Sequence, residues 1–299
     1  MTTPTRRRPR AVLLAVVTGA ALALSACGGS DDDADQPAAK VAANPTFAAG
    51  TTMDRLAKAG TVKVGTKFDQ PLFGLRGPDG KPVGFDVEIA KIIAGAMGIP
   101  ADKIQWVETV SANREPFIQN GQVDFVVATY TINDKRKEKV SFAGPYYVAG
   151  QTLMVRADDD SIKGPDDLAG KKVCSVEGST PADRIRTKYP QATLVPTDVY
   201  SNCLEPLRNK QVDAVTTDNV ILAGFVDQNE GDFKLAGDPF STEPYGIGLK
   251  RDDDAFRTFI NDTLEKSATD GSWAKAWEAT AGKVLPTPTP PAVDRYTNK

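Results

Sequence analysis

The sequence predicts an α/β protein of two similar lobes that share one cleft, and two observations predict it. Strand-like apolar runs alternate with helix-like amphipathic segments through most of the chain, the order that builds mostly parallel sheets. A weak internal echo then suggests that the unit occurs twice. Asn120-Gly121-Gln122-Val123-Asp124-Phe125-Val126-Val127-Ala128-Thr129 is matched by Asn209-Lys210-Gln211-Val212-Asp213-Ala214-Val215-Thr216-Thr217-Asp218, each after a helical segment and each ending in polar groups. Val62-Lys63-Val64-Gly65-Thr66 likewise has a counterpart in Lys172-Val173-Cys174-Ser175-Val176, which runs into Glu177-Gly178-Ser179-Thr180 and a helix from Pro181. A common strand pattern recurring by chance would give the same echo. Ligands of open α/β sheets sit outside the carboxyl ends of the strands, so the polar residues ending these strands are the candidate site.

Taken in order, residues 1–26 read as an export signal: Arg6, Arg7, Arg8 and Arg10, then an apolar run from Ala11 to Leu24. The run is too short for a comfortable membrane span. Leu24-Ser25-Ala26-Cys27 resembles the bacterial lipobox, which implies an acylated Cys27. Residues 27–50 are rich in Gly, Ala and Pro with an acidic cluster at Asp31, Asp32, Asp33 and Asp35, a composition that cannot order itself and predicts a flexible tether.

Folded structure is expected from Thr51 or Thr52, capping a short helix that Gly60 closes, followed by a strand over 61–65. Residues 67–80, rich in Gly, Pro and Asp, read as a loop. Beyond Gly84, Ile89, Ile92, Ile93, Ala96 and Met97 recur at helical spacing and form a core face. A strand near 104–108, a helix over about 114–119 and a buried strand through Phe125-Val126-Val127-Ala128 complete the alternation. The apolar run stops at Thr129-Tyr130-Thr131, where backbone and hydroxyl groups become free to serve a ligand. Asn133-Asp134 is an Asx-type helix start, and Arg136 behind it carries a planar fork suited to a carboxylate. The alternative for Arg136 is a solvated helix start. From Glu243 the chain reads as a return to the first lobe: a strand over 244–249, a helix over 254–266 and another over 273–279 with Trp273 and Trp277 as packing residues. Pro286 to Pro291 ends regular structure.

At 299 residues and 40% hydrophobic content the chain can bury a full core. The formal net charge of −3 includes the four signal arginines, so a product starting at Cys27 is more acidic still, which argues against nucleic acid as a partner. The chain has no histidine, which excludes Ser-His-Asp and Cys-His catalysis and the HExxH zinc sites. No cofactor is implied.

Gly84-Phe85-Asp86-Val87-Glu88-Ile89, together with Asp134-Lys135-Arg136-Lys137 and Phe142-Ala143-Gly144-Pro145-Tyr146-Tyr147, resembles the two hallmark segments of bacterial extracellular solute-binding proteins of the polar amino-acid family, most of all the glutamate and aspartate binders. The resemblance implies a type II periplasmic-binding-protein fold with two hinge strands and the ligand between the lobes. Lobe 1 is expected over 51–148 and 241–282, lobe 2 over 149–240 and a tail over 283–299. It further implies a monomer serving an ABC permease and its ATPase, held at the outer face of the cell membrane through Cys27.

Residue by residue, Arg136 matches the family's α-carboxylate arginine and Thr131 its hydroxyl partner, while Ser179 and Thr180 open a helix suited to an anion. Thr129 would offer its carbonyl, and Asp218 matches the ammonium acceptor, with a plain helix cap as its alternative. Ser111-Ala112-Asn113-Arg114 resembles the segment that grips a side-chain carboxylate. Lys67 stands where acidic-ligand binders place an arginine, and Tyr200 where some place a histidine; these departures leave glutamate, aspartate and the amides open. Apart from the family, Arg114 and Lys67 would be read as surface residues. The rival function is a dehydratase-type enzyme on this scaffold, with Glu177 or Asp69 as general acid. Because an exported chain meets oxidising conditions and Cys27 is taken by lipid, Cys174 and Cys203 are expected to form a disulfide.

Overall fold

Two sheets of the same design organise residues 39–296, the part of the chain that this computed structural model describes. The chain enters the first through α1 (Thr52–Ala59) and β1 (Val62–Thr66), then makes three short strands, β2 (Asp69–Gln70), β3 (Gly74–Arg76) and β4 (Pro82–Val83). It continues as α2 (Phe85–Ala96), β5 (Ile104–Glu108), α3 (Arg114–Gln119), β6 (Phe125–Val126), the one-turn α4 (Asp134–Lys137) and β7 (Ser141–Ala149). It crosses at Gly150 into β8 (Gln151–Arg156), β9 (Lys172–Val176), α5 (Thr180–Lys188), β10 (Thr193–Thr197), α6 (Leu204–Arg208), β11 (Ala214–Asp218), α7 (Asn219–Gln228) and β12 (Phe233–Ala236). It returns as β13 (Glu243–Leu249) and closes with α8 (Asp254–Thr269) and α9 (Ser272–Ala279).

Among the described residues the strands form sheets of order β5-β1-β6-β13-β7 and β10-β9-β11-β8-β12, with β2-β3-β4 as a small third sheet. In both large sheets the first three strands pair in parallel, and the fourth strand pairs antiparallel with both its neighbours. The internal echo therefore has a structural counterpart: β6 and β11 hold the same slot. Its aspartates do the same work, since the Lys63 N–H donates to Asp124 Oδ2 at 2.8 Å and the Lys172 N–H to Asp213 Oδ2 at 2.7 Å. Each carboxylate satisfies a backbone donor at the start of the neighbouring strand and so fixes its register.

The fold is a two-lobed one of the periplasmic-binding-protein type, and the two crossings between the sheets run side by side. Ala149 pairs with Glu243 and Val148 with Pro244 in antiparallel register. Beyond them the Phe240 N–H donates to the Gln151 carbonyl at 2.9 Å.

Local chemistry explains the elements of the first lobe. The Thr51 hydroxyl caps α1 by accepting from the Asp54 N–H at 3.2 Å, and Gly60 ends the helix in the left-handed region. Gly84 opens α2 at φ 134°, where a Cβ would lie 2.3 Å from the Phe73 carbonyl oxygen, so no other residue fits. Helix α2 buries Phe85, Ile89, Ile92 and Ile93. Trp273 and Trp277 stack on each other at 5.8 Å, Trp277 stacks on Tyr147 at 5.0 Å, and Trp273 Nε1 donates to the Tyr146 carbonyl. These are packing residues, and they brace the strand that leads into the crossing.

Three expectations need correction. Residues 67–80 are not a bare loop, because β2, β3 and the following β4 pair as antiparallel strands too short to show a period in sequence. The strand read through Ala128 ends as a sheet element at Val126, and Thr129 turns away with φ 43°. The described end of the expected tether, residues 39–50, lies against the first lobe: the Ala42 N–H donates to the Gly95 carbonyl at 2.8 Å, and Phe47 meets Phe259 edge-on at 5.5 Å. The tail also folds back without regular structure. Its Asp294 N–H donates to the Gly144 carbonyl at 2.8 Å, and the Phe142 N–H donates to the Tyr296 hydroxyl at 2.6 Å, which covers the free edge of β7. The export signal and Cys27 lie outside the described residues. Among the described residues no helix is long and apolar enough to cross a membrane.

Candidate functional site

The carboxyl ends of β1, β5, β6, β9 and β11 converge on a small, largely enclosed cavity. Eight of the ten residues expected to hold a ligand line it: Ser111, Arg114, Thr129 and Thr131 from the first lobe, Ser179, Thr180, Tyr200 and Asp218 from the second. Lys67 and Arg136 stand one contact behind. Lys67 Nζ donates to Ser111 Oγ at 2.8 Å, and Arg136 Nη1 donates to the Thr131 carbonyl at 2.7 Å.

The surface readings of Arg114 and Lys67 are wrong, because each is only 2% exposed. Helix α3 begins at Arg114 and points its side chain inward, where Nη1 donates to the Ala128 and Thr129 carbonyls at 3.1 and 3.2 Å. Arg136, buried on the single turn of α4 that Asn133 caps, also turns inward. Both guanidinium groups sit over the Tyr130 ring, at 4.2 and 4.9 Å from its centroid. Both reach across to the second lobe: Arg114 Nη2 and Arg136 Nη2 donate to the Gly178 carbonyl at 3.2 and 3.0 Å.

The charges are held largely uncompensated. Arg136 Nε has Glu115 at 3.5 Å, but among the described residues no carboxylate lies within ion-pair distance of Arg114 or Lys67. Burial, and then the positive charge of Arg114, push the Lys67 ammonium down to about 7, with Asp69 pulling the other way. The same two causes lower Arg136 to about 10.

Opposite them, Asp218 is 3% exposed at the end of β11. Its Oδ2 accepts from the Tyr245 hydroxyl at 2.6 Å, while Oδ1 is buried without a hydrogen-bond partner among the described residues. Burial, then the negative charge of Glu243, raise Asp218 to about 7. It makes no side-chain cap bond to α7, so the helix-cap reading does not hold. A cation donor such as an ammonium would satisfy Oδ1 and relieve the strain on its ionised form.

The hydroxyls divide their work. Ser179 Oγ caps α5 by accepting from the Ala182 N–H and itself donates to the Val176 carbonyl. Thr180 Oγ1 donates to Glu243 Oε2 at 2.8 Å, so its one hydroxyl proton is engaged and its backbone N–H remains for an anion. Thr131 Oγ1 lies 3.3 Å from Thr180 Oγ1 across the cleft.

Several residues were missed in the sequence. Asp86, fully buried in the first turn of α2, accepts from the Thr129 N–H at 2.7 Å and from the Tyr146 hydroxyl at 2.6 Å. Gln70 Oε1 accepts from the Thr129 hydroxyl at 3.0 Å. Together they hold a β-branched residue at positive φ, a strained conformation that turns its carbonyl toward the cleft side. A carboxylate inside an apolar helix face was the available signal. Glu243, 1% exposed, gathers Arg184, Ser241 and Thr180 at the crossing, for which the sequence offered only a charge at a strand start. The catalytic candidates have other partners: Glu177 is half-exposed and ion-paired with Arg186, and Asp69 accepts from the Tyr200 N–H at 2.9 Å. Cys174 and Cys203 are bonded, with Cα atoms 5.8 Å apart.

Three cations around one wall and a carboxylate oxygen on the other suit a small zwitterion with surplus negative charge. Comparison with known proteins points the same way. Residues 62–280 match the family model of bacterial extracellular solute-binding proteins, family 3. The chain is 46% identical over 226 residues to the glutamate-binding protein GluB of Corynebacterium glutamicum, covering 72% of this chain and 77% of that one. It is 38% identical to the ABC transporter glutamine-binding protein GlnH of Bacillus subtilis, over 87% and 92% of the two chains. Among solved structures, an ancestral arginine-binding protein bound to arginine superposes with a TM-score of 0.70 at 36% identity, covering 74% of this chain and 98% of that one.

Proposed function

The chain belongs to the bacterial extracellular solute-binding proteins of family 3, and from that premise we propose that it captures an acidic amino acid, glutamate first and aspartate second, for an ABC importer. The amino-acid-binding role follows from membership; the choice of an acidic ligand is the proposal. What carries it is the pair Arg114 and Lys67, both buried, joined through Ser111 and without a carboxylate partner among the described residues. An α-amino acid alone needs Arg136 for its carboxylate and Asp218 for its ammonium. A second buried cationic pair is costly unless a second anion meets it. The 46% identity to a protein named for binding glutamate supports the same choice.

In this reading the α-carboxylate meets Arg136, the Thr131 hydroxyl and the Thr180 amide at the α5 N-terminus that Ser179 caps. The ammonium meets Asp218 Oδ1 and the Thr129 carbonyl, and the side-chain carboxylate meets Arg114, Lys67 and Ser111, with Tyr200 closing the wall. Lobe 1 (51–148 and 241–282) and lobe 2 (149–240) close as a hinge. The signal at 1–26 would direct export and be removed, and the lipid anchor at Cys27 with its tether would hold the protein, as a monomer, outside the cell membrane beside its permease. Glutamine is the second reading, favoured by GlnH and by the burial that lowers the Lys67 ammonium to about 7.

Calorimetric titration against the standard amino acids tests the choice, read together with two variants. Arg114→Ala should weaken glutamate by about 2 to 5 kcal/mol, the cost of stranding one member of a buried charge pair, and leave neutral amino acids far less affected. Arg136→Ala should weaken every α-amino acid. Wild-type glutamate affinity in Arg114→Ala would remove the acidic-ligand reading.

A further inference from the structure

Asp69 is the one carboxylate of β2, and its partners lie on the other lobe. Its Oδ2 accepts from the backbone N–H of Tyr200 at 2.9 Å and faces that of Ser201 at 3.5 Å. Asp69 does not line the cavity. Tyr200 does, at the start of a 3₁₀ turn (Tyr200–Cys203) whose last residue is bonded to Cys174 of β9. The turn is thus fixed to the second lobe at one end and offers two backbone donors toward the first lobe at the other. Asp69 is as firmly placed, since it pairs with Leu75 in the small sheet whose β4 leads into α2.

We propose that Asp69 is a latch of the closed cleft: a first-lobe carboxylate that binds the Tyr200 and Ser201 N–H groups only while the lobes are together, and so sets how long a ligand stays without choosing which ligand it is. The inference rests on the hinge reading above but not on the ligand being glutamate. Two rigid elements, rather than long side chains, carry the donor and the acceptor, so little conformational entropy opposes the contact once the lobes meet. The N–H groups face water when the lobes part, and the charge-assisted bonds are then exchanged for solvent. The ligand-free open protein should not feel the loss of the carboxylate.

The test compares Asp69→Asn and Asp69→Ala with wild type, by stopped-flow dissociation and calorimetry at about pH 6, where Lys67 is charged in each protein. Glutamate and glutamine serve as probes, with any other amino acid that wild type binds used if neither does; failure of wild type to bind glutamate then counts against the ligand assignment alone. The expected result is dissociation about tenfold or more faster for each probe by the same factor, an unchanged selectivity ratio, and an unchanged melting temperature without ligand. Dissociation within twofold of wild type would overturn the latch. A larger loss for glutamate than for glutamine would overturn it in favour of Asp69 acting through the Lys67 charge, and a lowered ligand-free melting temperature would assign Asp69 to the fold instead.

Discussion

Gly178→Ala is the substitution that most directly tests whether the two lobes meet as described. Gly178 follows β9 in the second lobe with φ 76°, and a Cβ there would stand 2.8 Å from Ala112 Cα and 2.9 Å from Ala112 N in the first lobe. Ordinary contact starts near 3.4 Å, so the lobes must separate by about 0.6 Å or more. Backbone atoms cannot swing aside as a flexible side chain would. The Arg114 and Arg136 bonds to the Gly178 carbonyl, at 3.2 and 3.0 Å, would stretch past useful length. Losing most of two charge-assisted bonds costs about 2 to 4 kcal/mol, or ~30- to ~700-fold in Kd.

The left-handed φ adds a separate cost of about 1 kcal/mol, partly offset by the stiffer unfolded chain. That second cost is present whether the cleft is open or closed. It therefore lowers the melting temperature of the ligand-free protein slightly and leaves Kd alone, whereas the cross-cleft collision raises Kd and leaves ligand-free stability alone. Calorimetry gives the first quantity, thermal unfolding without ligand gives the second, and small-angle scattering at saturation should show a cleft less compact than wild type. A glutamate Kd within twofold of wild type would refute the close approach of Gly178 to Ala112 as the geometry of the bound state.

Two further outcomes are expected. Lys67 and Asp218 come near 7 only where the closed lobes bury them; in the open protein both face water and keep their charge. In the closed cleft a side-chain carboxylate holds Lys67 charged, and an ammonium holds Asp218 ionised. Glutamate should therefore bind with almost no net proton exchange near neutrality. Glutamine encloses Lys67 without an anion, so it should release about half a proton near pH 7 and weaken as pH falls toward 7; calorimetry in buffers of different ionisation enthalpy reads the difference, and equal release for both ligands would sink it. Replacing Cys174 and Cys203 by serine should cost about 3 to 4 kcal/mol of stability, because the bond closes a loop of 29 residues. Urea unfolding measures this, and a loss below about 1 kcal/mol would show that the unfolded chain gains little from the cut.

The parts of this architecture that were legible in sequence are those whose cause is local or repeated. The core face of α2 follows from helical spacing, and the echo around Asp124 and Asp213 was visible because each lobe needs the same carboxylate to hold a donor at the start of the equivalent strand. The termination of the apolar run at Thr129 was visible for a similar reason: a buried strand that turns polar has stopped serving its sheet. Short strands such as β2 and β4, two residues each, leave no period to read. The docking of residues 39–50 and of the C-terminal segment was hidden because Gly, Ala and Pro carry little apolar surface. Their order comes from surfaces supplied by α2, β7 and α8.

Burial of charge was the least legible property. An arginine in the first turn of a short helix and a lysine in a Gly/Pro-rich segment look solvated, and nothing local to Arg114 or Lys67 says otherwise. What buries them is the second lobe, whose Gly178 carbonyl accepts from Arg114 while the Tyr200 turn meets Asp69 two residues beyond Lys67. Each lobe alone would leave these cations at the mouth of a half-site, well hydrated and modest in their preference for an anion. Joined, the lobes replace water with fixed carbonyls and hydroxyls, and the same charges become a costly set that an anion of matching shape can stabilise. Ligand choice is on this account a property of closure: substitutions that keep the cleft from closing fully should flatten selectivity between glutamate and neutral amino acids as well as weaken both.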